Sequence, residues 1–159
     1  MLFSEVIFLQ FLNIKSQEDL QKLAERFEGL DYIITAKFLN ELLPQMPDPY
    51  RTFADSFSRS LADDGLMLMV DVACPRDTCF GQNQYVAEIM HSQLNEFISK
   101  NGFRDLLPPP PAKYYHPACP FSYIENGEEK SGTSKYTYRV IAENELCNLV
   151  ASKRSRSRG

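Results

Sequence analysis

The sequence lacks any long apolar run. In its 159 residues, no stretch approaches the ~20 consecutive apolar residues that a membrane-spanning helix needs. It also lacks a recognisable signal peptide, because residues 1–14 are apolar but have no basic start and contain Glu5. Cysteine is scarce, with four residues. These absences argue against a membrane helix and indicate a reducing compartment, the cytoplasm, in which disulfides are not expected.

Glycine is sparse and scattered. A glycine-rich loop lets backbone N–H groups approach the phosphates or ribose of a nucleotide closely. The seven glycines are too far apart to form such a loop: Gly29, Gly65, Gly81, Gly102, Gly127, Gly132 and Gly159. The sequence therefore gives no sign of a self-contained nucleotide-cofactor site.

Positive charge is concentrated at the carboxyl end. The net charge of −4 does not favour nucleic acid as a partner of the whole surface. Residues 147–159 end in alternating basic and serine residues, and we expect a disordered tail, with nucleic-acid binding or targeting as the alternative. The overall composition, 43% hydrophobic and 24% charged, is that of an ordinary globular protein. Residues 1–146 fit a single domain.

Apolar runs and helical periodicity alternate along the first half of the chain. Residues 5–12 (EVIFLQFL) have the length and composition of a buried parallel strand, and a strand so early suggests sheet neighbours missing upstream. Residues 16–27 predict a helix that begins with a Ser-x-x-Asp capping box and ends at Gly29. The stretch DYIITAKFLNEL follows, with a strand at residues 32–38.

The same alternation continues in the second half. Asp48 and the following proline predict the start of a helix. Residues 63–65 predict a turn, and residues 66–72 (LMLMVDV) a buried strand. Residues 82–100 predict a long helix, on which we expect His91 to be exposed because other residues fill the inward face.

The last part of the pattern changes from helices to strands. Residues 106–111 carry four consecutive prolines and predict an extended linker. Two alternating segments, residues 121–124 and 136–141, are joined by a polar loop and predict an antiparallel hairpin. The whole order predicts an α/β fold, a mostly parallel Rossmann-like sheet with right-handed crossovers and a C-terminal antiparallel hairpin.

Polar residues at the ends of two predicted strands form the candidate catalytic site. Asn40 and Glu41 follow the strand at residues 32–38, and ligands bind past the carboxyl ends of parallel strands. There an amide can orient a nucleophile and a carboxylate can accept its proton, but a helix cap and a solvated charge would look the same. Asp71 lies inside a strand pattern, so it either contacts substrate or bonds to the neighbouring loop.

Three cysteines and a histidine form a candidate metal site. Cys74 and Cys79 have four residues between them, and His116 and Cys119 have two. These ligands suit tetrahedral zinc or an iron–sulfur cluster. The spacing is not diagnostic, and buried free thiols that pack as small apolar groups are the alternative.

The order of elements resembles the carboxyl-terminal half of a class I S-adenosylmethionine-dependent methyltransferase. That fold ends with one antiparallel strand inserted in an otherwise parallel sheet. DYIITAKFLNEL is similar to its fourth strand, DDGLMLMVDV to its fifth and KYTYRVIAE to its terminal antiparallel strand, with residues 5–12 as the third. The resemblance implies methyl transfer from S-adenosylmethionine, with Phe38 and Leu39 near the cofactor and Asn40, Glu41 and Asp71 near the acceptor.

The sequence departs from that family where the family binds its cofactor. The glycine-rich loop and the amino-terminal cofactor half are missing, so we expect a truncated domain, a fold remnant without the chemistry, or a chain completed by a second subunit. FLNEL, CPRD, HPACP and KYTYRVI also resemble methyltransferase-like proteins associated with the mitochondrial small ribosomal subunit. That resemblance gives the alternatives: a mitochondrial location and a non-enzymatic assembly module that binds metal.

Overall fold

The computed structural model describes residues 14–72, 86–107, 119–134 and 136–144, and within the β4–β5 hairpin it leaves out the side chains of residues 119–121, 123 and 133–134. Three helices, two short 3-10 helices and six strands lie in the described ranges: α1 Gln17–Ala24, β1 Leu30–Ala36, 3-10 Leu39–Leu42, α2 Pro49–Phe57, 3-10 Ser58–Ser60, β2 Leu61–Val72, α3 Val86–Asn101, β3 Phe103–Asp105, β4 Cys119–Glu125, β5 Glu128–Ser134 and β6 Tyr136–Glu143. The strand predicted at residues 5–12, the proline run and the basic tail lie outside the described residues. No helix in the described ranges is long and apolar enough to cross a membrane.

Four strands form one mixed sheet in the order β1-β2-β6-β3. β1 and β2 are parallel, whereas β6 is antiparallel to both β2 and β3. It follows that β1, β2 and β3 point in one direction and that β6 is reversed between them. The α/β class is confirmed, but the mostly parallel sheet is confirmed only in part, because two of the three neighbouring pairs are antiparallel.

The prediction of the terminal hairpin is wrong about which strands pair. β4 pairs with β5 rather than with β6, from Cys119 opposite Ser134 to Glu125 opposite Glu128. Asn126 and Gly127 connect these strands with φ of 55° and 82°, the double left-handed geometry of a tight two-residue turn. The supposed polar loop is therefore itself a strand, and β6 is free to enter the main sheet.

Polar groups at the starts of α1 and α2 fix both helices, in different ways. The predicted capping box of α1 is present: Asp19 N–H donates to Ser16 Oγ at 3.2 Å, and Asp19 Oδ2 accepts from Ser16 N–H at 3.0 Å. Asp48 precedes α2 as predicted but does not cap it, because its carboxylate pairs with Arg51. Gln93 of α3 caps α2 instead, since its Oε1 accepts from Tyr50 N–H at 3.0 Å.

The turn predicted at residues 63–65 lies within β2, where the pairing with β1 is irregular. Leu30 pairs with Leu61, but Tyr32 pairs with Leu66, so four residues of β2 stand against one of β1. A Cβ on Gly65 would lie 2.6 Å from the backbone oxygen of Leu30. The absence of a side chain therefore lets β2 pass close to β1 at this irregularity.

All three helices pack on one face of the sheet, which we call the helix face. The core there joins Leu20 of α1, Phe53 of α2 and Leu94 of α3 to Ile33 and Met67 of the sheet. The opposite face, which we call the open face, carries the alternate residues of the strands. Its exposure rises toward β1: Val140 of β6 is 9% exposed, whereas Tyr32 and Ile34 of β1 are 66% and 64% exposed. Within the described part of the chain, one side of the sheet is thus covered, whereas Tyr32 and Ile34 at the β1 end of the other side are exposed.

Candidate functional site

The candidate site lies where β1 and β2 end and the reversed strand β6 begins. Val72 of β2 pairs with Tyr136 of β6, so the start of β6 lies at this edge. β1 ends at Ala36, and Lys37 takes a left-handed φ of 55° while its N–H still donates to Val70 O at 3.0 Å. This turn leads into the 3-10 helix, which carries Asn40 and Glu41 above the strand ends.

Asp71 is buried at this edge and connects three parts of the chain. It is 1% exposed. Its Oδ2 accepts hydrogen bonds from Asn40 N–H at 3.0 Å and from Tyr50 O–H at 2.8 Å. Its Oδ1 accepts from Val72 N–H at 2.8 Å. The bond from Asn40 is the bond to the neighbouring loop that was predicted from the sequence as one alternative. Together with the bond from Tyr50, it holds the 3-10 helix and α2 on the end of β2.

The surroundings of Asp71 raise the pKa of its carboxyl above the ordinary value. Burial raises the pKa of the Asp71 carboxyl, and the hydrogen bonds from Tyr50, Val72 and Asn40 oppose that rise. Three of the roughly four lone-pair sites of this carboxylate accept hydrogen bonds from the protein's own donors. A catalytic role for Asp71 remains a prediction, while its structural contacts are present.

The other predicted residues differ in their access to solvent. Asn40 is half-buried, and its Oδ1 is a buried acceptor without a hydrogen-bond partner among the described residues. Glu41 is exposed, Phe38 is half-buried against the core, and Leu39 is 1% exposed within it. The structure thus brings Asn40 and Asp71 together and points to Asn40 as the group that lacks a partner. The side chain of Leu39 belongs to the core.

A second buried polar cluster adjoins the first and was missed in the sequence. Thr137 of β6 is the direct partner of Asp71 in the register. Its Oγ1 lies 3.0 Å from His91 Nε2 of α3. The prediction that His91 is exposed is wrong, because the residue is 2% exposed. Burial, together with the charge of Arg139, lowers the pKa of His91 to about 4.

Arg139 anchors this second cluster to β3. It is 1% exposed, and its Nε and Nη2 donate to the two oxygens of Asp105 at 2.6 and 2.7 Å. Its Nη1 donates to Asn95 Oδ1 at 3.0 Å and lies 3.3 Å from His91 Nδ1. A two-pronged ion pair of this kind compensates the cost of burying the guanidinium. An arginine inside the apolar strand pattern KYTYRVIAE is the sequence signal that could have revealed it.

The described residues do not fit S-adenosylmethionine as a cofactor held by this chain alone. No glycine-rich loop follows a described strand, and Asp71, at the end of β2, accepts three hydrogen bonds from the protein's own donors. The metal prediction concerns Cys74, Cys79 and His116, which lie outside the described residues, and Cys119, of which only the backbone is described. Elsewhere in the described ranges, no three His, Cys, Asp or Glu residues are arranged to hold a metal ion.

Comparison with known proteins gives little beyond this geometry. No family model and no curated protein matches the sequence. Among solved structures, the chain is similar to a SAM-dependent methyltransferase from Anabaena variabilis, with 9% identity, a TM-score of 0.37, and coverage of 80% of this chain and 55% of that one. The chain therefore spans about half the length of that protein. A likeness at this level says nothing about activity, substrate or cofactor.

Proposed function

We propose that the chain is the distal half of a methyltransferase-like domain and that it does not bind S-adenosylmethionine by itself. One observation carries the proposal: β6 runs against both of its neighbours, β2 and β3, which share one direction. An antiparallel strand in this place is the feature that the sequence resemblance implied for KYTYRVIAE. The misfit of the described residues to the cofactor supports the second part of the proposal.

Within this proposal, Asn40 is the residue that faces a second molecule. Its backbone N–H is fixed by Asp71, and its buried side-chain Oδ1 has no hydrogen-bond partner among the described residues. A buried acceptor without a donor costs about 1–3 kcal/mol. A hydrogen-bond donor on the methyl-accepting substrate, or on a subunit that supplies the missing half, would remove that cost. Glu41 remains the candidate base, since it is exposed beside Asn40.

Isothermal titration of the purified chain with S-adenosylmethionine and S-adenosylhomocysteine tests the part of the proposal that concerns cofactor binding. We expect no heat beyond ligand dilution, which corresponds to a Kd weaker than about 1 mM. Micromolar binding by the folded chain would refute it, because a cofactor site would then exist without a glycine-rich loop. A crystal structure in which β6 does not lie between β2 and β3 would remove the basis for the first part of the proposal, the methyltransferase-like fold.

A non-enzymatic assembly module is the second candidate. It is favoured by the internal hydrogen bonds that Asp71, Tyr50 and Gln93 form. Because these bonds hold the strand ends rigidly, the strand ends can serve as a support for a partner. The cysteine-rich set would then stabilise the module through a metal. Metal analysis of the purified chain, beside a Cys74→Ser, Cys79→Ser variant, tests this: a stoichiometric metal lost in the variant supports it, and a metal-free native chain excludes a metal-dependent module.

A further inference from the structure

The described sheet ends at β1 with one long side unpaired. β1 pairs with β2 alone among the described strands. Lys37 N–H donates to Val70 of β2, and successive residues of a strand direct their backbone groups to opposite sides. The N–H groups of Tyr32, Ile34 and Ala36 therefore point away from β2. We call this side of β1 the open edge.

The side chains beside the open edge are apolar and exposed. Tyr32 and Ile34 are 66% and 64% exposed on the open face. An edge strand that ends in solvent is normally short, charged or interrupted by proline, because unpaired backbone groups invite another strand. β1 has seven residues, and Asp31 is its one charged residue. This edge has the properties of a strand that is paired in the native protein.

The position of α1 indicates which segment pairs there. Crossovers between parallel strands of one sheet are right-handed in nearly all proteins. α2 connects β1 to β2 on the helix face, and α1 packs on that same face. Two right-handed crossovers with helices on one face must step in the same direction. A strand that precedes α1 therefore lies beyond β1, on the side of the open edge.

The direction of α1 shows where that strand would end. Ser60 Oγ, just before β2, donates to Ala24 O at 3.0 Å, so α1 ends at the amino ends of the strands. Its first turn consequently points toward their carboxyl ends. Ile14, two residues before the cap Ser16, is 8% exposed within the core. Ile14 thus lies on the side of the carboxyl ends of the sheet, where a strand parallel to β1 would end.

We propose that the open edge of β1 and the exposed apolar residues beside it are a docking surface for residues 5–12 of this chain, which add parallel to β1. Six of those eight residues are apolar: Val6, Ile7, Phe8, Leu9, Phe11 and Leu12. Eight strand residues span about 26 Å, close to the length of seven-residue β1. Asn13 and Lys15 provide the connection to α1. The inference is independent of any cofactor.

Amide exchange of the full-length chain followed by NMR tests the docking. We expect the outward N–H groups of Tyr32 and Ile34 to be protected within about tenfold of the β2-facing Ile33 N–H. Ile7→Pro removes a donor in the middle of the segment, so it should lower protection at Tyr32 and Ile34 and leave Ile33 protected. The matched control Ser4→Pro, outside residues 5–12, should leave all three amides protected.

Three results would overturn the proposal. Tyr32 and Ile34 amides that exchange at unstructured rates would mean that nothing pairs with the edge. Protection that survives Ile7→Pro would mean that another segment occupies it. Protection that rises with protein concentration, together with a dimer in sedimentation velocity, would assign the edge to a second copy.

Disulfide trapping tests the direction of the strand without a proline. Parallel pairing in the register that sets Val6 opposite Tyr32 predicts that Tyr32→Cys cross-links to Val6→Cys and that Ala36→Cys cross-links to Gln10→Cys, as mapped by mass spectrometry. The exchanged combinations, Tyr32→Cys with Gln10→Cys and Ala36→Cys with Val6→Cys, are the matched controls. Preferential cross-linking of the exchanged combinations would show an antiparallel strand and refute the inference, as would the absence of cross-links in all four variants.

Discussion

His91 makes the stability of the protein depend on pH in a direction that its burial determines. In the folded state its pKa is about 4, against an ordinary value of 6.5. The unfolded chain therefore binds a proton at His91 at a pH where the folded chain does not. Between these two values the free energy of unfolding must fall as the pH falls. The contribution of neutral His91 is complete above pH 6.5 and is lost by pH 4.

The magnitude follows from the size of the pKa difference. Each unit is worth about 1.4 kcal/mol, so a difference of 2.5 units corresponds to about 3 kcal/mol of stability lost between pH 7 and pH 4. Asp71 acts in the opposite direction, because its raised pKa favours the folded state as the pH falls toward its ordinary value of 3.8. A comparison of the native chain with a His91 variant, both of which keep Asp71, isolates the contribution of His91 to the pH dependence.

Urea unfolding of the native chain and of His91→Gln, at several pH values from 4.5 to 7, measures the difference. Glutamine keeps a polar group within reach of Thr137 but does not titrate. We expect the unfolding free energy of the native chain to fall by about 2–3 kcal/mol more than that of the variant over this range. Parallel pH profiles for the two proteins would refute the reasoning, because His91 would then titrate alike in the folded and unfolded chains.

Three further predictions concern stability in urea unfolding at pH 7. Asp71→Ala leaves three hydrogen-bond donors unpaired at the strand ends and should lower the unfolding free energy by at least about 3 kcal/mol. The exposed control Glu41→Ala should change it by less than about 0.5 kcal/mol. Equal effects of the two substitutions would contradict the role of Asp71 in holding the 3-10 helix and α2 on β2. Gln93→Ala removes the cap of α2 and should cost about 1–2 kcal/mol, and an unchanged midpoint would show that α2 needs no cap. Gly65→Ala forces a Cβ toward the Leu30 oxygen and should cost about 1–3 kcal/mol, so a stabilised variant would disprove the close approach.

Local signals predicted the elements whose stability is local. The capping box placed the start of α1 correctly because its two hydrogen bonds lie within four residues. The prediction of the hairpin failed even though its turn is also a local signal. Residues 128–134 (EEKSGTS) have no apolar alternation, so periodicity could not identify β5, and the pairing is set by the turn at Asn126 and Gly127. An Asn-Gly pair is a strong hairpin signal and should have outweighed the polar composition.

The polar contacts of the site depend on tertiary structure and could be predicted only in part. Asp71 was recognised because an acidic residue is unexpected in an apolar strand. Its main partner, Tyr50, gave no such signal, because a tyrosine on the apolar side of a helix is an ordinary core residue. His91 was placed on the outside because the helix already had enough apolar residues for its inward face. Its burial follows from Thr137 and Arg139 on β6, 46 and 48 residues away.

The two polar clusters have different consequences for the candidate site. Around Arg139 the charges are satisfied within the protein, so that cluster fixes α3 and β3 against β6 and leaves little for a ligand. Around Asp71 the backbone of Asn40 is held firmly while the amide oxygen of the same residue has no partner among the described residues. A fold that needed only a rigid strand end would gain stability from an apolar residue at position 40. Under the proposed function, the hydrogen bond from the Asn40 N–H to Asp71 holds the Asn40 amide in position for a second molecule.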